Sequence, residues 1–504
     1  MKAIKKTKSL CPSCYAILDA EIFERDGQVF IRKTCPTHGE FEDIYWSDAE
    51  QYYRMASFGE IGSGLENPRT KIVKGCPFDC GICPEHKSYS VLTIIDVTNQ
   101  CNLRCPICFA HAGASGYVYE PSKEIIFKII DNLRSNLPIP PVALQFSGGE
   151  PTLRDDLPEL VEYALKSGFP HVEVNSNGIR LANDFNYLMK LKNAGLSTVY
   201  LQFDGVTPEP YAKTRGTNLL PTKLKALENF RKAEHLSVVL VPTLVNGVND
   251  NQVGDIIFFA AKNFDIVRAV NFQPVSVTGR IHRDDLKRMR ITISDFMKLA
   301  EQQTAGRIRP SDFYPMPFVI PFARAVGAIN GVHYTEFTAH PHCGVATFVI
   351  VKDDEIVPIT RIANVEKFME DLKKVYREDS RSSQTLAKIN MVRSLRSMGS
   401  SSLKGLLKAV IATGDYEDLA RFMHNVIMIG AMHFMDAYNF DLDRVQRCCI
   451  HYGVPDGRII PFCTMNNLYR ESIERAYSIP LSAWKGSHVE SISPSPRMPK
   501  TGDS

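Results

Sequence analysis

Thirteen cysteines are the residues of this 504-residue sequence best placed to do chemistry. Eleven stand in four spaced groups, Cys11/Cys14/Cys35, Cys76/Cys80/Cys83, Cys101/Cys105/Cys108 and Cys448 with Cys449, while Cys343 and Cys463 stand apart. Two of the groups repeat one spacing, C-x3-C-x2-C. A disulfide framework does not place three cysteines so close together twice over, whereas metal sites do. Three thiolates on one short loop can hold three irons of a [4Fe–4S] cubane and leave the fourth iron open to a small ligand.

Such loops need a scaffold, and the sequence predicts one from residue 91 onward. Apolar strands are expected at Val91–Val97, Val142–Phe146, His171–Val174, Val199–Phe203, Val238–Thr243 and Val267–Phe272. Amphipathic helices are expected between them at Ser122–Leu133, Leu157–Lys166, Asn186–Asn193 and Lys223–Glu234. Strand–helix alternation implies a parallel sheet with right-handed crossovers. The fold class is therefore α/β, a partial (β/α)6 barrel over residues 91–290, with function at the C-terminal strand ends.

Polar residues stand at those ends. Cys101-Asn-Leu-Arg-Cys105-Pro-Ile-Cys108 follows the first strand and Ser147-Gly148-Gly149-Glu150-Pro151 the second. Asn175-Ser176-Asn177 ends the third, Gln202 and Asp204 the fourth with Arg215 beyond, Asn246 the fifth and Gln273 the sixth. With Ile107 as its apolar position, the cysteine loop resembles the signature of the radical S-adenosylmethionine (SAM) superfamily. That resemblance implies a cluster on Cys101, Cys105 and Cys108 whose open iron binds SAM, the chemistry being the cofactor's. It also implies that Ile107, Gly148, Gly149, Glu150, Pro151, Asn175, Ser176, Asn177, Gln202, Asp204, Arg215, Asn246 and Gln273 surround SAM, with Glu150 accepting from its ammonium.

The other cysteines extend the inventory. Cys11-Pro-Ser-Cys14 and Cys35-Pro-Thr-His38 flank an expected hairpin turning at Asp26-Gly27. With His38 they offer four ligands to a mononuclear Zn or Fe, so residues 1–70 read as a rubredoxin- or zinc-ribbon-like module. Cys76, Cys80 and Cys83, in a segment spanning 71–90, suit an auxiliary [4Fe–4S] cluster, with zinc as the alternative and His86 or an open iron as the fourth position. Cys343, Cys448 and Cys463 suit a second auxiliary cluster, with buried thiols as the alternative.

Residues 291–484 read as a helical region, with helices at Ile293–Gln302, Glu366–Tyr376, Leu403–Thr413 and Tyr416–Tyr438. Within the last, Phe422–Met435 is Met-rich and reads as a core helix or as the wall of an apolar groove. The tail 485–504 reads as disordered.

The formal net charge of +3 argues against a nucleic-acid partner. No apolar h-region follows Lys2, Lys5, Lys6 and Lys8, and no uninterrupted apolar run spans a bilayer, so neither a signal peptide nor a membrane span is expected. The knuckles, both triple-cysteine loops and the C-terminal cysteines together resemble the archaeal tetraether lipid synthases over nearly the whole chain. That resemblance implies carbon–carbon coupling of isoprenoid lipid termini, two auxiliary clusters beside the SAM cluster, an electron donor such as ferredoxin or flavodoxin, and a cytoplasmic enzyme in peripheral contact with the inner membrane face. The alternative enzyme is a radical SAM methyltransferase acting on a pterin-like or other small substrate. The non-enzyme alternative is an iron–sulfur electron carrier, against which the Gly148-Gly149-Glu150 loop argues.

Overall fold

The computed structural model describes residues 1–234, 236–281, 285–352, 355–377, 394, 395, 405 and 424–484. Strands β1 (Lys2–Leu10), β2 (Ile17–Arg25), β3 (Gln28–Cys35) and β4 (Gly39–Trp46) form an antiparallel sheet in sequential order. Asp26 and Gly27 make the β2–β3 turn, both at positive φ (53° and 73°). Asp-Gly tolerates that backbone at little cost, and the right-handed twist of the strands favours it. Ile22, Val29 and Ile31 turn inward and join the main core.

Then follow β5 (Leu92–Thr98), β6 (Tyr117–Tyr119), β7 (Ala143–Gly148), β8 (His171–Ser176), β9 (Thr198–Gln202), β10 (Ser237–Val241), β11 (Thr243–Leu244) and β12 (Val267–Pro274). Beyond them lie β13 (Tyr314–Pro315), β14 (Gly344–Lys352), β15 (Glu355–Pro358), β16 (Ile427–Met432), β17 (Ile450–Gly453), β18 (Ile459–Pro461) and β19 (Ser478–Pro480). The six expected strands are present as β5, β7, β8, β9, β10 and β12, parallel neighbours in that order. The expected helices between them are present as Lys123–Arg134, Leu157–Lys166, Phe185–Asn193 and Leu220–Ala233. The first shows why: Ile126, Ile129, Ile130 and Leu133, one face at helical spacing, are buried.

The C-terminal region departs from expectation. The region 291–484 is not helical throughout, and two of its strands join the parallel run of the sheet. Its β16 pairs parallel with β12 and its β17 parallel with β5, so among the described residues the run of parallel neighbours has eight strands, not six, with short β11 also parallel beside β12. Antiparallel β14 lies outside β16, carrying short β13 and β15 on its far side, and β18 lies outside β17. Within Phe422–Met435, residues Ile427–Met432 are strand and not helix. The cause is burial on both sides, between β12 and β14. A strand so placed reads as a continuous apolar run, and periodicity cannot separate it from a core helix. Helices Ile293–Gln303 and Val365–Arg377 form where expected. The helix expected at Leu403–Thr413, apart from Gly405, the start of that at Tyr416–Tyr438 and the tail 485–504 lie outside the described residues.

Buried charge joins the ribbon to the sheet. Arg290 pairs with Asp43 of β4 at 2.6 Å and with Asp436 at 2.8 Å, all three buried or nearly so. Lys33 of β3 donates to Ser9 Oγ at 2.8 Å and to the carbonyls of Ala437 and Tyr438 at 2.6 and 2.8 Å.

Candidate active site

The loop after β5 carries Cys101, Cys105 and Cys108, and all three line a cavity of about 270 Å³ at the strand ends. Burial, then the neighbouring Cys105 and Glu150, push the Cys101 thiol well above its ordinary range. Burial likewise raises Cys105, opposed by the Arg215 guanidinium. Buried thiols that disfavour a bare thiolate are ligands whose charge a bound metal must satisfy. Such a donor set fits an iron–sulfur cluster.

Three neighbouring loops hold this one. The turn after β7 is clamped to it: Gly149 N donates to Thr98 O at 2.7 Å and Glu150 N to Gln100 O at 2.8 Å. A Cβ on Gly148 would strike the Thr98 carbonyl and one on Gly149 the Gln100 carbonyl, so both positions need glycine. From the loop after β8, Asn177 Nδ2 donates to Asn102 Oδ1 at 2.7 Å. From the loop after β12, Arg280 donates through Nη1 to Cys105 O at 2.9 Å and through its backbone N to Cys108 O at 2.9 Å.

Glu150 is 1% exposed, and burial raises its carboxyl. Its carboxylate accepts from Ser176 Oγ at 2.8 Å, Asn177 N at 2.7 Å and Thr152 N at 3.2 Å. Its first duty is to tie the β7 turn to the β8 loop, and only the remaining acceptor capacity faces the cavity. Glu150→Ala leaves buried donors unpaired, at about 1–3 kcal/mol each. The expected result is a lower melting temperature with SAM affinity reduced about tenfold or more. Iron content is expected to hold. Equilibrium binding and thermal melts check it, and unchanged SAM affinity would remove Glu150 from the site.

Asp204 is fully buried and holds Arg215 through two contacts, Nε to Oδ2 at 2.7 Å and Nη2 to Oδ1 at 2.8 Å. Arg215 in turn donates to Ile107 O at 3.2 Å. The pair therefore fixes the cluster loop between Cys105 and Cys108. Arg215 lines the cavity and Asp204 stands behind it. Lys223, which the sequence reading misses, donates to Asn177 O at 2.5 Å and Gln202 Oε1 at 3.0 Å. Burial pushes its ammonium down to about 7.

Of the residues expected around SAM, Ile107, Gly148, Gly149, Glu150, Asn175, Ser176, Asn177, Gln202, Arg215 and Gln273 line the cavity. Pro151 is buried at the start of a short 3-10 turn (Pro151–Leu153) and is not among the lining residues. Asn246 is a correction. It is exposed and bonds Arg288 O at 2.9 Å, because the chain after β11 turns away from the cavity.

The cavity floor was not foreseen. Tyr200 accepts from Asn271 Nδ2 at 2.5 Å and Gln273 Nε2 at 3.1 Å. Gln145 Nε2 donates to Glu173 at 2.7 Å. The signal was present as strand alternation. Gln145 and Ser147, Tyr200 and Gln202, and Asn271 and Gln273 each lie two apart and share a face. Over this floor Phe109, Met432, Phe434, Met435, Tyr452 and Phe462 form an apolar wall.

The ribbon carries a second donor set. The ligand atoms of Cys11, Cys14, Cys35 and His38 all lie within 4.8 Å of one another, with Cys14–Cys35 at 4.0 Å and Cys35–His38 at 3.4 Å. Tetrahedral Zn–S bonds of about 2.3 Å imply sulfur–sulfur edges of about 3.8 Å, so this set fits one ion. Cys35→Ser is expected to lose about one metal per chain and to lower the melting temperature. Metal analysis reading the same for variant and parent would exclude the site.

Cys76, Cys80 and Cys83 face one another. Contact with Cys80, then burial, raises the Cys76 thiol. Their loop is fixed by Asp79, whose Oδ2 accepts from Val73, Lys74 and Gly75 backbone N–H at 2.6, 2.6 and 2.7 Å. His86 Nε2 is engaged with Cys448 O at 2.9 Å and His451 Nε2 at 3.1 Å, which leaves Nδ1 as its only ligand atom. Cys343, Cys448 and Cys463 also approach one another. Burial, then Cys463 and Cys343, push the Cys448 thiol up. Among the described residues no helix is long and apolar enough to cross a membrane.

The profile of the Radical SAM superfamily matches residues 95–260, and that of the HMPTM N-terminal zinc ribbon domain matches residues 3–47. A 7,8-dihydro-6-hydroxymethylpterin dimethyltransferase of Methanocaldococcus jannaschii is 51% identical over 497 residues, which is 96% of this chain and 97% of that protein. A GTP 3′,8-cyclase of Alkaliphilus oremlandii is 26% identical over 230 residues, 44% of this chain and 68% of that protein. Among solved structures, Streptococcus suis SuiB aligns with a TM-score of 0.35 at 16% identity, over 44% of this chain and 47% of that one. The superfamily match spans the cysteine loop and the glycine turn, the ribbon match spans the four-ligand set, and the Methanocaldococcus match runs through both to the C-terminal strands. The chain is thus a radical SAM enzyme with an N-terminal zinc ribbon, and it belongs to the same family as the Methanocaldococcus jannaschii protein.

Proposed function

We propose that this enzyme methylates a small, hydrogen-bonding heterocycle of the pterin class. The observation that carries this is the polar floor of the cavity. With Tyr200 accepting from Asn271 and Gln273, the carbonyl oxygens of those two side chains and of Gln145 are left as acceptors, and the Tyr200 hydroxyl as a donor. Burial keeps that phenol protonated. A pterin-type ring presents the complement, adjacent N–H donors beside one carbonyl. A few convergent polar groups in an otherwise apolar pocket are how proteins orient such ligands. Identity of 51% over nearly the whole length to a protein named as a pterin dimethyltransferase supports the same reading.

One cavity draws side chains from all eight parallel strands. This supports a sheet curled into a partial barrel. A [4Fe–4S] cluster held on Cys101, Cys105 and Cys108 would supply the electron that turns one SAM into methionine and a hydrogen-abstracting reagent, and a second SAM would supply the methyl group and leave as S-adenosylhomocysteine. The protein's part is to hold the cluster loop through Arg215, Arg280 and Asn177, and to exclude water with the Phe109, Phe434 and Phe462 wall. Two further clusters, on Cys76/Cys80/Cys83 and on Cys343/Cys448/Cys463, with reduction by an external one-electron donor, complete the proposal.

The apolar wall favours a second reading, the joining of isoprenoid chain termini at the membrane face. The tetraether synthase resemblance suggested that reading, and the similar proteins named above lend it no support. Mass spectrometry separates the two. Anaerobically reconstituted, reduced enzyme is given SAM with either a dihydropterin or an archaeol-type lipid. Methyl-sized mass gains on the pterin support the proposal. Chain coupling with loss of hydrogen, and an unchanged pterin, overturns it.

A further inference from the structure

We propose that the Arg444 guanidinium is the internal counter-charge of an iron–sulfur site on Cys343, Cys448 and Cys463, and that it raises that site's reduction potential. The inference rests on reading those cysteines as cluster ligands. They come from three separate places: just before β14, just before β17 and just after β18. A short helix, Leu442–Gln446, turns Arg444 into the space between them.

Arg444 is 3% exposed. Its Nη2 donates to His433 O at 2.7 Å, and its Nε is buried with no partner. Of the other buried arginines, Arg215 meets Asp204, Arg290 meets Asp43 and Asp436, and Arg470 meets Asp96 and Glu474, whereas Arg447 meets only the Glu60 carbonyl. Arg444 instead faces the Cys343 and Cys463 thiols and the Tyr45 phenol. A cation in a dry interior is strongly disfavoured without an anion. Among the described residues no ion pair joins Arg444 to a carboxylate, and the thiolates of a bound cluster would supply the anion.

Three thiolates on a cubane make a net anion, and one-electron reduction adds a further negative charge. A fixed cation beside it stabilises the reduced form more than the oxidised one. Net charge and hydrogen bonds to sulfur are established determinants of cluster potential. The unpartnered Nε–H and the Met435 N–H, which lies 3.4 Å from Cys463 Sγ, are donors of that kind.

The test is an EPR-monitored redox titration of full-length, fully reconstituted protein. Cys448→Ala identifies the signal by its loss, together with about four irons. If Cys448→Ala removes no iron, the ligand reading fails and the Arg444 proposal falls with it. If the signal is identified, Arg444→Met is expected to keep the cluster and shift its potential to more negative values, leaving the SAM-responsive signal in place. An intact cluster at unchanged potential overturns the role. Where Arg444→Met does not retain the cluster, Arg444→Lys decides. A retained cluster at the parent potential supports the counter-charge. A lost cluster, or one shifted negative with the charge still present, assigns Arg444 to holding His433 alone.

Discussion

Replacing Cys101, Cys105 and Cys108 together by alanine is expected to remove about four irons per chain and to abolish 5′-deoxyadenosine formation from SAM. Among the described residues no other thiols line that cavity. The fold is expected to survive, because the loop is held by backbone contacts that alanine keeps. Arg280 still reaches the Cys105 and Cys108 carbonyls, Arg215 the Ile107 carbonyl, and Gly113 N the Asn99 carbonyl at 2.9 Å. Iron analysis, an assay for 5′-deoxyadenosine and a thermal melt read the three outcomes separately. Cleavage surviving in the triple variant would move the SAM site to another cysteine group.

Arg215→Met is expected to be the most destabilising single change described here. It strands the fully buried Asp204 carboxylate, and breaking a buried pair from one side costs about 3–5 kcal/mol. Gln202, Thr214 and the Thr243 backbone N–H still donate to Asp204, so the loss falls toward the lower end. Removing the charge as well, in Asp204→Asn with Arg215→Met, is expected to recover part of it, because the desolvated anion is gone. Denaturant melts of the two single variants and the double make a cycle that measures the coupling. A loss under about 1 kcal/mol in Arg215→Met is what an exposed pair gives and would contradict the burial. SAM cleavage is expected to fall in both variants, since the Ile107 carbonyl loses its anchor.

The parallel strands were legible because each is a short apolar run bounded by a helix with a clear face, and their C-terminal ends announced the cavity. The loop cysteines and the Gly148-Gly149 turn were legible for a related reason: spacing along the chain fixes their geometry almost alone. What the sequence hid is what depends on pairing between distant segments. Ile427–Met432 has no period of its own, and only its place between β12 and β14 makes it a strand. Arg444 drew no expectation, because nothing near it in sequence shows that Cys343 and Cys463 lie beside it. Gln145, Tyr200 and Asn271 lay in view on the alternation of their strands. Their period of two marks a shared face but does not say which face lines a cavity. Asn246 failed for another reason, a strand-end residue whose loop points elsewhere.

The long sheet ends in short strands, and each of them carries a proline: Pro461 in β18 on one margin, Pro315 in β13 and Pro358 in β15 on the other. A proline has no N–H to offer a neighbouring strand. Neither margin therefore presents the continuous row of free donors and acceptors on which another chain would template. Blunted margins of this kind disfavour edge-to-edge joining of copies of this chain.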